Sequence, residues 1–81
     1  MKVSADKRLF WFLKDNTELD LDSPAILDMY VQQVLMYGKA QDIKSLFKKI
    51  GFIKFKQSFE RIKPFLSEEV RRFWEDFLGN T

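Results

Sequence analysis

The chain has no cysteine and no histidine among its 81 residues. Without thiols there is no disulfide framework, thiolate zinc site or cysteine nucleophile, and without imidazole no histidine-based triad. No glycine-rich phosphate loop is present, and no nucleophile has an activating base beside it. Long apolar runs are also missing. The longest covers residues 9 to 13, far below the ~20 residues of a membrane helix. Lys2 is followed by Asp6, Lys7 and Arg8, and no small-residue cleavage site follows the apolar run, so no secretory signal is expected and the compartment expected is the cytoplasm. The sequence therefore predicts a protein that is not an enzyme, takes no cofactor or metal, and does not enter a membrane.

What is present is globular. Apolar residues make up 46% and charged residues 32%, outside the low-hydrophobicity, high-charge regime of disordered chains. The length suits one domain, residues 1 to 81. Nine Phe, two Trp and two Tyr supply large side chains, each able to bury about 150 to 250 Å². That offsets the poor surface-to-volume ratio of a chain this short.

The two prolines and three glycines act as punctuation. Ser23-Pro24 predicts a helix start and Gly38 a left-handed C-terminal cap. Between them, Leu27, Tyr30, Val31, Val34 and Leu35 fall on one helical face. A second helix is expected over residues 40 to 50, with Ile43, Leu46, Phe47 and Ile50 inward, ended by Gly51. A third should carry Phe52, Phe55, Phe59 and Ile62 on one stripe until Pro64 stops it. Ser67 should cap a fourth, with Val70, Phe73, Trp74, Phe77 and Leu78 as its core stripe and Glu68/Arg72, Arg71/Glu75 and Arg72/Asp76 as i,i+4 pairs. Residues 4 to 13 suggest a short N-terminal helix, and no segment alternates long enough for a half-buried strand. The predicted fold is all-α, an irregular bundle of four helices plus a short N-terminal one.

Charge is uneven. Residues 1 to 43 carry five basic and seven acidic groups, residues 44 to 63 carry seven and one, and residues 64 to 81 carry two and four. The basic block fits a phosphate backbone or an acidic protein, and equally a solvated helix face. A helix-turn-helix around Gly51 is rejected: Phe47 stands where a small residue is usual, and Gln57 and Glu60 where apolar ones are. Glu18, Asp20 and Asp22 alternate, but an EF-hand counted from Glu18 would have Ser23 and Met29 at its glycine and glutamate positions. The fold is expected to need no metal.

Five consecutive large apolar residues, Leu9-Phe10-Trp11-Phe12-Leu13, would point all round a helix. Either neighbouring elements cover every side or part of the run is an interaction patch.

Leu9-Phe10-Trp11, Val34-Leu35-Met36-Tyr37-Gly38, Asp42-Ile43 with Leu46, and Leu66-Ser67 with Phe73-Trp74, taken in order, resemble a family of small uncharacterised bacterial helical proteins. The likeness covers nearly the whole chain. Members are often encoded beside nucleotidyltransferase-like toxins of the abortive-infection type, which implies an antitoxin-like role and no catalytic residue. The chain departs from that pattern at Phe12, where an acidic residue is expected, and at Gln33, where a basic one is.

The function expected is thus a non-catalytic protein-binding module, possessing as partner a toxin-like nucleotidyltransferase. Its predicted partner-binding residues are Phe10, Trp11 and Phe12, with Lys44, Lys48 and Lys49 as a steering rim. The alternative is a small nucleic-acid-binding domain using residues 44 to 63. Composition leaves the oligomeric state open.

Overall fold

The computed structural model describes residues 1–79, so positions 80 and 81 of the expected domain lie outside the described residues. Its elements are β1 (Lys2–Ser4), β2 (Glu18–Asp20), α1 (Pro24–Tyr37), α2 (Ala40–Ile62), a 3-10 turn (Lys63–Phe65) and α3 (Glu68–Gly79). The expected bundle of four helices plus an N-terminal helix is therefore wrong. Among the described residues a two-stranded antiparallel sheet precedes three helices.

The sheet replaces the N-terminal helix. β1 and β2 pair in the register Lys2↔Asp20, Val3↔Leu19 and Ser4↔Glu18. Leu19 and Leu21 are buried while Glu18, Asp20 and Asp22 face outward. The acidic alternation is thus the solvent side of a strand and the residues that follow it. Residues 5 to 17 close the hairpin through turns rather than a helix: Leu9 and Phe10 both donate to the Asp6 carbonyl, at 2.9 and 2.8 Å, and Leu13 donates to that of Phe10 at 3.0 Å.

α1 starts at Pro24, whose missing N–H costs nothing there. It buries Leu27, Tyr30, Val31, Val34 and Leu35, the face its spacing predicts. Gly38 is not left-handed, with φ −79° and ψ 163°. A close approach accounts for it instead: a Cβ at Gly38 would lie 2.5 Å from the Val34 carbonyl oxygen, to which the Gly38 N–H donates.

The two helices expected on either side of Gly51 run together as α2, but Gly51 itself is not helical, with φ 79° and ψ 166°, so the helical path breaks where the sequence places the break. That conformation strains any residue with a Cβ. Beyond the kink Phe55, Ser58, Phe59 and Ile62 are buried, whereas Phe52 is exposed. α3 turns Trp74 and Leu78 inward and half-buries Val70. Phe73 and Phe77, both expected in the core, are exposed. Rings join the two halves of the core: Trp74 lies 5.2 Å from Phe55 and 6.1 Å from Phe47 between centroids, and Phe55 is 4.7 Å from Phe47.

α1 is fastened to α2 by a polar clasp. Asp28 accepts hydrogen bonds from the buried Ser58 hydroxyl at 2.7 Å and from two nitrogens of Arg61 at 2.8 and 2.9 Å. A forked, charge-assisted pair of this type fixes orientation as well as contributing energy. Among the described residues no buried side-chain nitrogen or oxygen lacks a partner.

Candidate functional site

The run from Leu9 to Leu13 is divided by its turns. Leu9 and Phe10 are buried, Phe10 completely, with its ring stacked on Tyr30 at 5.3 Å. Trp11 and Phe12 remain 55% and 53% exposed. Turn geometry explains the split, because consecutive side chains of a tight turn leave it in different directions while the strands on either side hold it against α1.

The two exposed rings do not stand alone. Trp11 meets Phe12 edge-on at 5.7 Å and Tyr37 edge-on at 5.1 Å, and Tyr37 is itself 55% exposed. The outcome is a cluster of three aromatic rings, two from the hairpin loop and one from the last position of α1. Edge-to-face contact is a favoured aromatic geometry, and each of the three residues still keeps more than half of its surface exposed. The sequence places Tyr37 in a helix and in the Val34 to Gly38 motif, but not beside Trp11. Only the folded loop brings it to Trp11.

A set of polar links positions the loop. Gln33 donates from its amide to the Leu9 carbonyl at 2.8 Å. Arg8 bridges Asp6 and Asp42, each at 2.8 Å, and Asp42 also accepts from the Lys39 N–H at the start of α2. Ala5 donates to Thr17 across the hairpin at 2.9 Å. Lys7 donates to the Leu13 carbonyl and lies 3.2 Å from Asp15.

Three of the clasped carboxylates, Asp6, Asp28 and Asp42, are held in their charged form. The Arg8 guanidinium, with the Lys39 N–H, keeps Asp42 below the usual carboxylate range. The Arg8 backbone N–H, followed by its guanidinium, does the same for Asp6. Arg61, with the Ser58 hydroxyl, lowers Asp28 against the opposing effect of partial burial. A carboxyl group acting as general acid near neutrality needs the opposite shift.

The expected lysine rim separates into two roles. Lys49 reaches the Tyr30 hydroxyl at 3.2 Å, with its ammonium 5.8 Å from the ring centre. It is part of the packing of α2 on α1. Lys44 and Lys48 are exposed, and among the described residues no hydrogen bond, ion pair or ring contact links them to Trp11 or Phe12. The structure thus assembles Trp11 and Phe12 with Tyr37, removes Phe10 into the core, and does not join the lysines to that cluster.

The basic block is also reduced. Arg61 is committed to Asp28 and Lys63 to Glu60 at 2.8 Å, while Lys49 serves Tyr30. Lys44, Lys48, Lys54 and Lys56 remain without an ion pair among the described residues, and the Gly51 kink falls between the first two and the last two.

No group of three or more His, Cys, Asp or Glu side chains is placed to hold a metal among the described residues, and no helix there is long and apolar enough to cross a membrane. Comparison of the chain with protein-family models, curated proteins and solved structures gives no match.

Proposed function

We propose that this chain is a non-catalytic protein-binding module that engages its partner through Trp11, Phe12 and Tyr37. One observation carries the reading: three large aromatic side chains, each more than half exposed, meet through Trp11, with Trp11 and Phe12 on a loop pinned to the fold by polar links at Leu9 and Arg8 and Tyr37 at the end of α1. Aromatic anchors dominate binding energy at protein interfaces. Exposure of three together, each already in contact with another ring, lowers the side-chain entropy left to lose on association.

The partner's class rests on the sequence resemblance alone. It is a nucleotidyltransferase-like toxin, and the role is that of an antitoxin-like restraint. Phe12, standing where an acidic residue is expected in that pattern, adds a ring to the cluster in place of a charge.

The test is co-expression of the chain with the product of the adjacent gene, followed by purification through a tag on either protein. Co-purification that is lost with Trp11→Ala supports the reading. A partner gene product that is neither bound nor neutralised overturns it.

A further inference from the structure

We infer that a second copy of this chain docks on a surface separate from the Trp11 cluster, pairing the groove beside Phe52 and Ile53 on α2 with the outer shoulder of α3. Each half of that contact is exposed and apolar, and the two halves carry opposite unpaired charge.

The α2 half lies just beyond the kink. Phe52, Ile53, Lys56, Gln57 and Glu60 line a shallow groove of about 420 Å³. Ile53 is 73% exposed, and Glu60 is already paired with Lys63. Lys56 is left as the groove's uncompensated charge. Residues 44 to 56 contain five lysines and no acid, so the surroundings reinforce its sign.

The α3 half follows from helical geometry. At ~100° per residue, Phe73 and Phe77 form one shoulder of the apolar arc whose centre, Val70, Trp74 and Leu78, faces the protein's own core. Glu69 and Asp76 border that shoulder on its outer side by the same count, and neither has an ion-pair partner among the described residues. The paired charges, Arg72 with Glu68 at 3.5 Å and Arg71 with Glu75 at 3.6 Å, lie round the opposite side. The third pair expected from spacing, Arg72 with Asp76, does not form, which frees Asp76.

A continuous path of rings connects the two halves within one molecule. Phe52 stacks on Phe47 at 6.5 Å, Phe47 meets Trp74 at 6.1 Å, and Trp74 touches Phe73 at 5.1 Å and Phe77 at 5.5 Å. A two-fold arrangement then satisfies both halves at once, with α3 of each copy against the α2 groove of the other. A stable dimer needs about 800 Å² from each partner, roughly a seventh of the surface of this chain. Nucleic acid fits the groove less well. Single strands stack their bases on open aromatic faces, while Phe52 is stacked on Phe47 and the most exposed residue of the groove is the aliphatic Ile53.

The experiment is sedimentation velocity on the 81-residue chain over a concentration series from about 1 to 500 µM, repeated for two charge-reversal variants and for their mixture. One variant carries Lys48→Glu and Lys56→Glu, the other Glu69→Lys and Asp76→Lys, all at exposed positions. Circular dichroism checks that each retains the helical signal. The expected result is a dimer for the native chain, association weakened about tenfold or more in each variant alone, and recovery on mixing them, since the reversed charges then oppose each other again. A monomer throughout the series overturns the inference. So does a dimer indifferent to both reversals, or an open-ended ladder of larger species, which a reciprocal contact forbids.

Discussion

The side-chain amide of Gln33, on α1, donates to the backbone carbonyl of Leu9 across 24 positions of sequence. Through this bond the middle of the first helix sets the depth of the hairpin loop, with Leu9 and Phe10 beneath it and Trp11 and Phe12 above. Gln33→Ala removes the donor and leaves a half-buried carbonyl unpaired, at a cost of about 1 kcal/mol. Chemical denaturation should read that loss, and the exposed rings should show increased mobility in their NMR relaxation.

Phe10 and its two neighbours should separate cleanly. Phe10→Ala empties a fully buried site packed on Tyr30 and should cost about 3 to 5 kcal/mol. Phe12→Ala, at an exposed ring, should cost less than about 1 kcal/mol. Thermal melts of the two variants side by side provide the comparison.

Acid should unfold the chain through its clasped carboxylates. Asp28, Asp42 and Asp6 all have lowered folded-state pKa values. Their stabilising contribution is therefore fully present above the unfolded value of about 3.9 and is lost as pH falls through the folded values. With no histidine in the chain, little should titrate between about pH 5 and 8. The melting midpoint should be flat across that window and fall below about pH 4. Asp28→Asn should blunt the fall, because the neutral amide no longer titrates. It should also lower the midpoint at pH 7 by weakening the fork to Arg61.

The two helix-linking glycines should fail for different reasons. Nothing lies within 4 Å of a Cβ placed at Gly51, so Gly51→Ala meets only backbone strain at φ 79° and ψ 166° and should cost about 1 to 3 kcal/mol. Gly38→Ala drives a methyl group against the Val34 carbonyl, which must move. Gly51→Asn should recover none of the loss at Gly51, since asparagine tolerates the left-handed helical region but not positive φ with an extended ψ. Equilibrium urea unfolding of the three variants reads these losses.

The helical half of the fold is legible because its signals repeat. In α1, five apolar residues at helical spacing lie between Pro24 and Gly38, and all five are buried. The sheet is not legible in the same way, since each strand is three residues long. Lys2-Val3-Ser4 offers a single inward side chain, and only its pairing with Leu19 reveals the alternation. Phe73 and Phe77 mislead for another reason: they obey the helical period, yet periodicity gives the width of an apolar arc and not how much of it the rest of the chain covers. The candidate site is half legible. A run of five large side chains announces more apolar surface than one face can absorb, but which rings emerge is decided by the Asp6 turns and the Gln33 bond, and Tyr37 joins them only in three dimensions.

Calorimetric titration of the purified product of the adjacent gene with the native chain and with Trp11→Ala tests the proposed protein-binding role most directly. The expected result is saturable binding by the native chain and at least a tenfold loss with Trp11→Ala, consistent with an anchor worth about 2 kcal/mol or more, while the melting midpoint of the variant stays within a few degrees of the native one. Equal affinity for the two chains, or no binding by the native chain, would contradict the account.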